Sequence, residues 1–138
     1  MRISGAETIL VVEDEEILRE MERSILESCG YNVLGADSAR KAFDLWKENA
    51  PQIRLLLADI VLPRGITGVE LAKRLLDEQP HLKIIFTTGQ VINQADHEAL
   101  ARLNARFLPK PFEPADLIRI VSDTFGGSAQ GDITVSVA

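Results

Sequence analysis

The chain has 138 residues, a net charge of −6 at pH 7, 46% hydrophobic residues and 26% charged residues. This composition is typical of a single globular domain, and the acidic balance argues against a nucleic-acid-binding surface. The single cysteine, Cys29, excludes an internal disulfide and a metal site built from several cysteines.

No apolar stretch approaches the roughly 18 residues of a membrane-spanning helix, and the first residues lack the basic and apolar segments of a signal peptide. We therefore expect a cytoplasmic protein with neither nucleic acid nor a membrane among its partners. One folded domain is expected over residues 1–126. Residues 127–138 contain no basic residue and no helical period, which predicts a flexible C-terminal tail.

Short apolar runs rich in β-branched residues alternate with longer segments of helical periodicity. The first, third and fourth runs are almost continuously apolar, as expected of central strands that are covered on both faces. In chain order, the predicted strands are Thr8–Val12, Asn32–Leu34, Ile53–Leu57, Lys83–Thr87 and Arg106–Leu108.

The first helical segment follows the first strand. It has an apolar stripe of Ile17, Met21 and Ile25, which we predict to face the core, and Gly30 is a plausible end. Leu18 lies one residue off this stripe, so we expect it to be half exposed beside Asp14. It is either an apolar anchor for a helix of a partner protein or a leucine at the edge of the core.

The other helices are recognised mainly by their ends. Asp37 or Ser38 caps the second helix, and a capping box of Thr67 and Glu70 opens the third. A fourth helix is predicted over residues 95–103. Pro114 suits the first turn of a fifth. The apolar residues of the second helix are Ala39, Ala42, Phe43 and Trp46. Those of the fifth helix are Leu117, Ile118, Val121 and Phe125.

Strand and helix alternate five times, which predicts an α/β fold with a parallel sheet and helices on both faces. Because crossovers between parallel strands are right-handed, few strand orders are available. We predict a flavodoxin-like, doubly wound sheet of five strands in the order 2-1-3-4-5, with five helices.

Ligands bind at the carboxyl ends of the strands in such a sheet. Acidic residues from two strands meet there, and their mutual repulsion calls for a cation. Oxygen ligands without histidine or thiolate favour Mg²⁺, while a lysine and a threonine can bind a phosphoryl group. The segments that follow the strands are Glu13–Glu16, Asp59, Thr87–Gly89 and Pro109–Pro111.

These residues resemble a known family over about residues 7–125. The family is the receiver domain of two-component response regulators, and the resemblance rests on separate motifs in the right order. The motifs are Glu13-Asp14, Asp59 followed by Pro63 and Gly68, Thr88-Gly89, and Lys110-Pro111-Phe112.

The resemblance implies a phosphoacceptor that is not an enzyme with a substrate of its own. A histidine kinase or a histidine phosphotransfer protein would donate the phosphoryl group, and phosphorylation-dependent binding of another protein would carry the signal. Asp59 would be the acceptor, Thr88 and Lys110 would contact the phosphoryl oxygens, Phe107 would be the switching aromatic, and the Lys110-Pro111 peptide would be cis. Mg²⁺ would be held by Glu13, Asp14, Asp59 and the backbone carbonyl of Val61.

Two residues depart from the common pattern of the family. Glu13 stands where many receivers have aspartate, so its longer side chain is expected to reach the metal through water. Phe107 lacks the hydroxyl of a tyrosine, and any switching motion would therefore depend on packing alone.

Other functions fit the same elements less well. A phosphatase that forms an aspartyl phosphate would need a second aspartate at the position of Val61. A mononucleotide or flavin carrier would need a phosphate-binding loop where Glu13–Glu16 stand. Taken singly, each carboxylate could also be a cap or a solvated helix start. Whether the chain acts alone or as the receiver of a hybrid kinase stays open, as do the kinase, the target and the oligomeric state.

Overall fold

The computed structural model describes residues 7–126, and the predicted tail over residues 127–138 lies outside them. Five parallel strands form one sheet in the order β2-β1-β3-β4-β5, which confirms the predicted topology. The strands are β1 (Thr8–Val12), β2 (Asn32–Ala36), β3 (Ile53–Asp59), β4 (Lys83–Thr88) and β5 (Arg106–Pro109).

Five α-helices connect and follow the strands. Ser38 caps the second helix, because its side chain accepts a hydrogen bond from the Lys41 amide. Thr67 caps the third helix in the same way, through the amide of Glu70. The helices are α1 (Glu16–Ser28), α2 (Ala39–Asn49), α3 (Gly68–Glu78), α4 (Gln94–Arg102) and α5 (Pro114–Thr124), and a 3₁₀ turn (Ala50–Gln52) precedes β3.

The sheet separates two apolar layers. Alternate residues of β1 face opposite sides, so that Leu10 packs with α2, α3 and α4 while Ile9 packs with α1 and α5. The strands that the sequence shows as almost continuously apolar runs are buried at every residue except Arg54 of β3 and Lys83 of β4. Within residues 7–126, no helix is both long and apolar enough to cross a membrane.

The predicted core stripe of α1 is wrong at Ile17 and Met21, whereas Ile25 is half-buried and packs against the core. Ile17 is 86% exposed and Met21 is 38% exposed, while the buried residues of the helix are Glu22 and Leu26. Leu18 is half-buried, as predicted. The exposed residues Ile17 and Met21 and the buried residues Glu22 and Leu26 form neighbouring stripes on the helix surface. The helix packs against the core through the stripe that contains the glutamate.

Four strands, β2 to β5, extend further toward their carboxyl ends than the apolar runs suggest. Asp59 ends β3 and Thr88 ends β4, with Asp59 beside Thr87 in the sheet. These side chains are therefore held by strand backbone, which places them more rigidly than a loop would.

Candidate functional site

The carboxyl ends of β1, β3, β4 and β5 bring the predicted site residues together at one edge of the sheet. Glu13, Asp59 and Thr88 are 1%, 7% and 3% exposed, whereas Asp14 is exposed to solvent. The site thus has an acidic floor, formed by the buried Glu13 and Asp59, and an accessible carboxylate, that of Asp14, at its rim.

Lys110 joins two of the carboxylates. Its Nζ donates hydrogen bonds to Asp59 Oδ2 at 2.7 Å and to Glu13 Oε1 at 3.0 Å. Burial by itself would lower the pKa of Lys110, but the hydrogen bonds to Asp59 and Glu13 outweigh it and raise the pKa to about 12. Lys110 therefore stays a cation throughout the physiological pH range. The Lys110-Pro111 peptide is cis, as the family resemblance implies.

Glu13 is held through both its side chain and its backbone. Its Oε2 accepts a hydrogen bond from the Glu15 amide at 3.0 Å, and its own amide donates to Ala36 O at 3.0 Å. The Glu13 carbonyl accepts from Arg19 Nη1 at 2.8 Å. Burial raises the pKa of the Glu13 carboxyl, and the bonds from Glu15 and Lys110 oppose that rise. These hydrogen bonds hold Glu13 in a fixed position in the site.

Asp59 is oriented by the chain that follows it. Its Oδ1 accepts a hydrogen bond from the Val61 amide at 2.9 Å, which leaves Oδ2 facing Lys110. Gly68 packs directly against this turn, since its amide donates to Ile60 O at 2.8 Å. A Cβ atom on Gly68 would overlap the Asp59 carbonyl oxygen. Gly68 is thus needed for close packing behind the acceptor, a role that the sequence alone did not assign.

Thr88 and Phe107 border a cavity beside the acidic floor. The Thr88 Oγ1 accepts a hydrogen bond from the Gln90 amide at 3.2 Å. The half-buried Phe107 packs against the core shared with α2, α3 and α4. The cavity has a volume of about 410 Å³ and is also lined by Ile92, His97 and Lys110. Thr88 and Phe107 thus line the same cavity.

The acidic residues fit a divalent cation. One carboxylate oxygen from each of Glu13, Asp14 and Asp59 lies within 4.8 Å of the other two. Three hard oxygen donors, one of them reachable from solvent, suit Mg²⁺. Val61 contacts Asp59 through its amide, so the predicted metal contact through its carbonyl stays a prediction.

Two further residues near the site were not predicted from the sequence. Arg19 binds the backbone of Glu13, and Glu22 is buried near the site, where Glu13, Asp59 and Lys110 influence its pKa. Both lie on α1. A polar residue at the centre of the Leu18–Leu26 stripe is the signal that could have pointed to Glu22.

Comparisons with known proteins agree on one family. The model of the response regulator receiver domain family matches residues 9–122. The chain is 36% identical over 110 residues to the response regulator receiver protein CpdR of Brucella abortus. This match covers 80% of this chain and 89% of CpdR. The chain is also 31% identical over 121 residues to the sensor kinase CckA of the same species, covering 88% of this chain and 13% of CckA.

A solved structure shares the same architecture. The receiver domain protein of Methanospirillum hungatei, described as CheY-like, superposes with a TM-score of 0.77 at 28% identity. The match covers 92% of this chain and all of that chain. Sequence and fold thus point to the same family independently.

Proposed function

Because this chain belongs to the receiver domain family of response regulators, we propose that it accepts a phosphoryl group on Asp59 in a Mg²⁺-dependent reaction. The observation that carries the proposal is the bridge from Lys110 Nζ to Asp59 and Glu13, with Asp14 in the same acidic cluster. A lysine held against a buried aspartate is positioned to neutralise a phosphoryl oxygen once that aspartate becomes an acyl phosphate.

The donor is a phosphohistidine of a histidine kinase or of a histidine phosphotransfer protein. An Asp59 oxygen forms the new P–O bond while the P–N bond of the phosphohistidine breaks. The electron pair of the P–N bond returns to the imidazole nitrogen, which takes up a proton. Lys110 then exchanges its contact with the Asp59 carboxylate for one with a phosphoryl oxygen.

The metal-holding residues of the proposal are Glu13, Asp14, Asp59 and the carbonyl of Val61. Bound Mg²⁺ would neutralise charge on the transferring phosphoryl group. Glu13 is already engaged by Lys110 and by the Glu15 amide, which supports a contact with the metal through water. Asp14, exposed at the rim, would be a direct ligand.

Thr88 and Phe107 are the proposed switch. On phosphorylation, the Thr88 hydroxyl would leave the Gln90 amide and donate to a phosphoryl oxygen. Phe107 would follow into the space that Thr88 vacates, since both side chains line the same cavity. Without a hydroxyl on Phe107, the motion changes only packing at β5 and α4, where a partner protein would read it.

The proposed donor surface lies on α1 and α5, next to Asp14. Ile17, Met21 and Ile118 are large apolar side chains exposed there, and α1 contacts α5. The sequence suggested Leu18 as the apolar anchor for a donor helix, but Ile17 is far more exposed and replaces it in the proposal. The reaction is placed in the cytoplasm, where such donors present their phosphohistidines.

The test is phosphorylation of the purified chain, first with acetyl phosphate and then with each histidine kinase encoded in the same genome. We expect Mg²⁺-dependent incorporation of phosphate that hydroxylamine removes, as it removes acyl phosphates. Asp59→Asn should abolish incorporation, and Asp37→Asn, on the exposed turn after β2, should not. Incorporation that survives in Asp59→Asn would overturn the assignment of the acceptor.

A further inference from the structure

Two arginines on α1 donate hydrogen bonds to backbone carbonyls, one just after β1 and one in β2. Arg19 Nη1 donates to Glu13 O at 2.8 Å, and Arg23 Nη1 donates to Val33 O at 3.0 Å. The arginines are four residues apart and therefore lie on the same side of the helix. Arg19 holds the residue that follows β1, whereas Arg23 holds the edge strand β2.

Gly35 of β2 makes room for both side chains. A Cβ atom at Gly35 would lie 3.0 Å from Arg23 Nη2 and 3.6 Å from Arg19 Cδ. Glycine weakens a strand interior, and one that packs against side chains usually marks a close approach. The glycine therefore belongs to the same arrangement as the two arginines.

The contact made by Arg19 bears directly on Asp14. The carbonyl of Glu13 and the amide of Asp14 belong to one planar peptide, so holding the carbonyl fixes the orientation of both. The Asp14 side chain makes no hydrogen bond or ion pair with any other residue of the range 7–126. Its position in the acidic cluster is consequently set by its backbone.

We propose that Arg19 is a positioning residue for the metal-dependent reaction, because it orients the Glu13–Asp14 peptide and thereby places the Asp14 carboxylate. The inference rests on the proposed function, in which Asp14 is a metal ligand. Arg19 itself touches neither the metal nor the phosphoryl group. Its effect is on the affinity for Mg²⁺ rather than on the reactivity of Asp59.

The experiment compares Arg19→Met with Arg23→Met. Both changes keep an unbranched apolar side chain and remove one guanidinium from the same helix. The Mg²⁺ dissociation constant of each protein is measured by calorimetric titration. Arg19→Met should weaken Mg²⁺ binding by roughly tenfold, the low end of the effect of losing a residue that orients a metal ligand. Arg23→Met should stay within about twofold of the parent chain.

Two readouts separate positioning from a loss of stability. Hydrogen exchange at the amides of Asp14 and Glu15 should be faster in metal-free Arg19→Met but unchanged in Arg23→Met. Labelling by acetyl phosphate should be slower in Arg19→Met at limiting Mg²⁺ and recover at saturating Mg²⁺. Arg19→Lys, which restores a donor, should give an intermediate Mg²⁺ affinity, and it serves as the test variant if Arg19→Met fails to fold.

Equal Mg²⁺ affinities in Arg19→Met and the parent chain would overturn the inference, as would equal losses in Arg19→Met and Arg23→Met. Failure of the proposed function has a different result, since the parent chain itself would then neither bind Mg²⁺ nor accept phosphate on Asp59.

Discussion

Glu22 is a carboxyl group in an apolar layer, 1% exposed and without a hydrogen-bond partner among residues 7–126. Burial raises its pKa to about 8, and the nearby Glu13 and Asp59 carboxylates add to the rise while Lys110 opposes it. At neutral pH the folded chain therefore keeps Glu22 protonated, whereas the unfolded chain ionises it from its ordinary pKa of 4.5.

This difference makes stability fall as pH rises. Between the unfolded and folded pKa values the folded state binds the extra proton, so raising the pH favours unfolding by about 1.4 kcal/mol per pH unit. Below the pKa of the unfolded chain, Glu22 is neutral in both the folded and the unfolded state, and its contribution to the pH dependence of stability disappears. Glu22→Leu should remove this slope, so that its stability advantage over the parent chain grows by roughly 4 kcal/mol over three pH units up to pH 8.

Urea unfolding of the metal-free proteins at several pH values measures this advantage. Glu20→Leu, a change of an exposed glutamate on the same helix, is the control and should keep the slope of the parent chain. A parallel pH dependence in Glu22→Leu and the parent would mean that Glu22 is solvated or paired in solution.

Val61 governs the proposed approach of water to the phosphorylated Asp59. Its side chain is 49% exposed two residues beyond the acceptor, and an apolar side chain there can neither orient nor activate a water molecule. Gln90, two residues beyond Thr88, has an amide but no carboxylate and is a poor base. We therefore expect slow loss of the phosphoryl group.

Val61→Asn should speed phosphate release from the purified phosphoprotein by roughly tenfold, which is less than a full general base contributes. Mg²⁺ affinity should change little, because the proposed metal contact of this residue is its backbone carbonyl. Val91→Asn, at an exposed valine on the loop after β4, is the control. A release rate in Val61→Asn no greater than that of the parent would show that water access is not limited at this position.

At the scale of the elements, α1 presents different residues to the sheet and to a partner. Ile17→Asp should slow phosphoryl transfer from the cognate kinase by roughly tenfold, which corresponds to the loss of about 1.4 kcal/mol of apolar contact at a docking surface. Labelling by acetyl phosphate should be unchanged, because the side chain is 86% exposed and carries no part of the core.

Val91→Asp is the matched control for this experiment. Val91 is 98% exposed but precedes α4, which packs on the opposite face of the sheet from α1. The kinase should phosphorylate Val91→Asp at the rate of the parent chain. If phosphoryl transfer from the kinase is slowed equally in both variants, the donor contacts both faces of the sheet and its docking surface is not on α1.

The connection between β3 and α3 depends on Gly68. The three atoms nearest to a Cβ atom there are all backbone, since it would overlap the Asp59 carbonyl oxygen and lie 3.0 Å from Asp59 C and 3.1 Å from Ile60 Cα. Backbone atoms cannot yield as the end of a flexible side chain does. Gly68→Ala should therefore cost about 1–3 kcal/mol of stability and reduce labelling of Asp59 by acetyl phosphate.

The matched control is Gly89→Ala, because a Cβ atom at Gly89 would lie 3.9 Å from Lys110 Cβ, an ordinary contact. Denaturant unfolding and acetyl phosphate labelling should give parent-like values for this variant. If Gly68→Ala matches it in both measurements, the β3–α3 connection is more adaptable than its packing indicates.

At the scale of the whole molecule, the sheet holds three carboxylates together that repel one another when no metal is bound. Mg²⁺ that binds only the folded state should stabilise it by about 2.7 kcal/mol at one hundred times its dissociation constant. For a domain of this size, that corresponds to a rise in the melting temperature on the order of 10 °C.

Asp14→Ala should abolish the rise, since Asp14 is the accessible carboxylate of the cluster. Asp44→Ala, at an exposed aspartate on α2, should retain it. Thermal unfolding followed with and without Mg²⁺ checks both variants, and an equal response in Asp14→Ala and the parent would remove Asp14 from the metal site.

The sequence by itself determined the strand order and which predicted site residues meet at the carboxyl edge of the sheet. Alternation of apolar runs with amphipathic segments leaves few right-handed arrangements, and a parallel sheet brings its carboxyl ends to one edge. Asp59, Thr88 and Lys110 could therefore be placed together from their positions after β3, β4 and β5. Their roles come from the resemblance of the motifs to a family, which the comparisons confirmed at the level of the family.

Only the tertiary structure decided which face of α1 is buried and how the backbone packs behind the site. Helical periodicity allows either of two neighbouring stripes of α1 to face the core. Apolar content predicts burial of the stripe that contains Ile17 and Met21, but the fold exposes these two residues. The contacts of Arg19 over Gly35 and of Gly68 against Asp59 join separate elements at close range. Such contacts depend on how far apart packed elements lie, a distance that local sequence patterns do not contain.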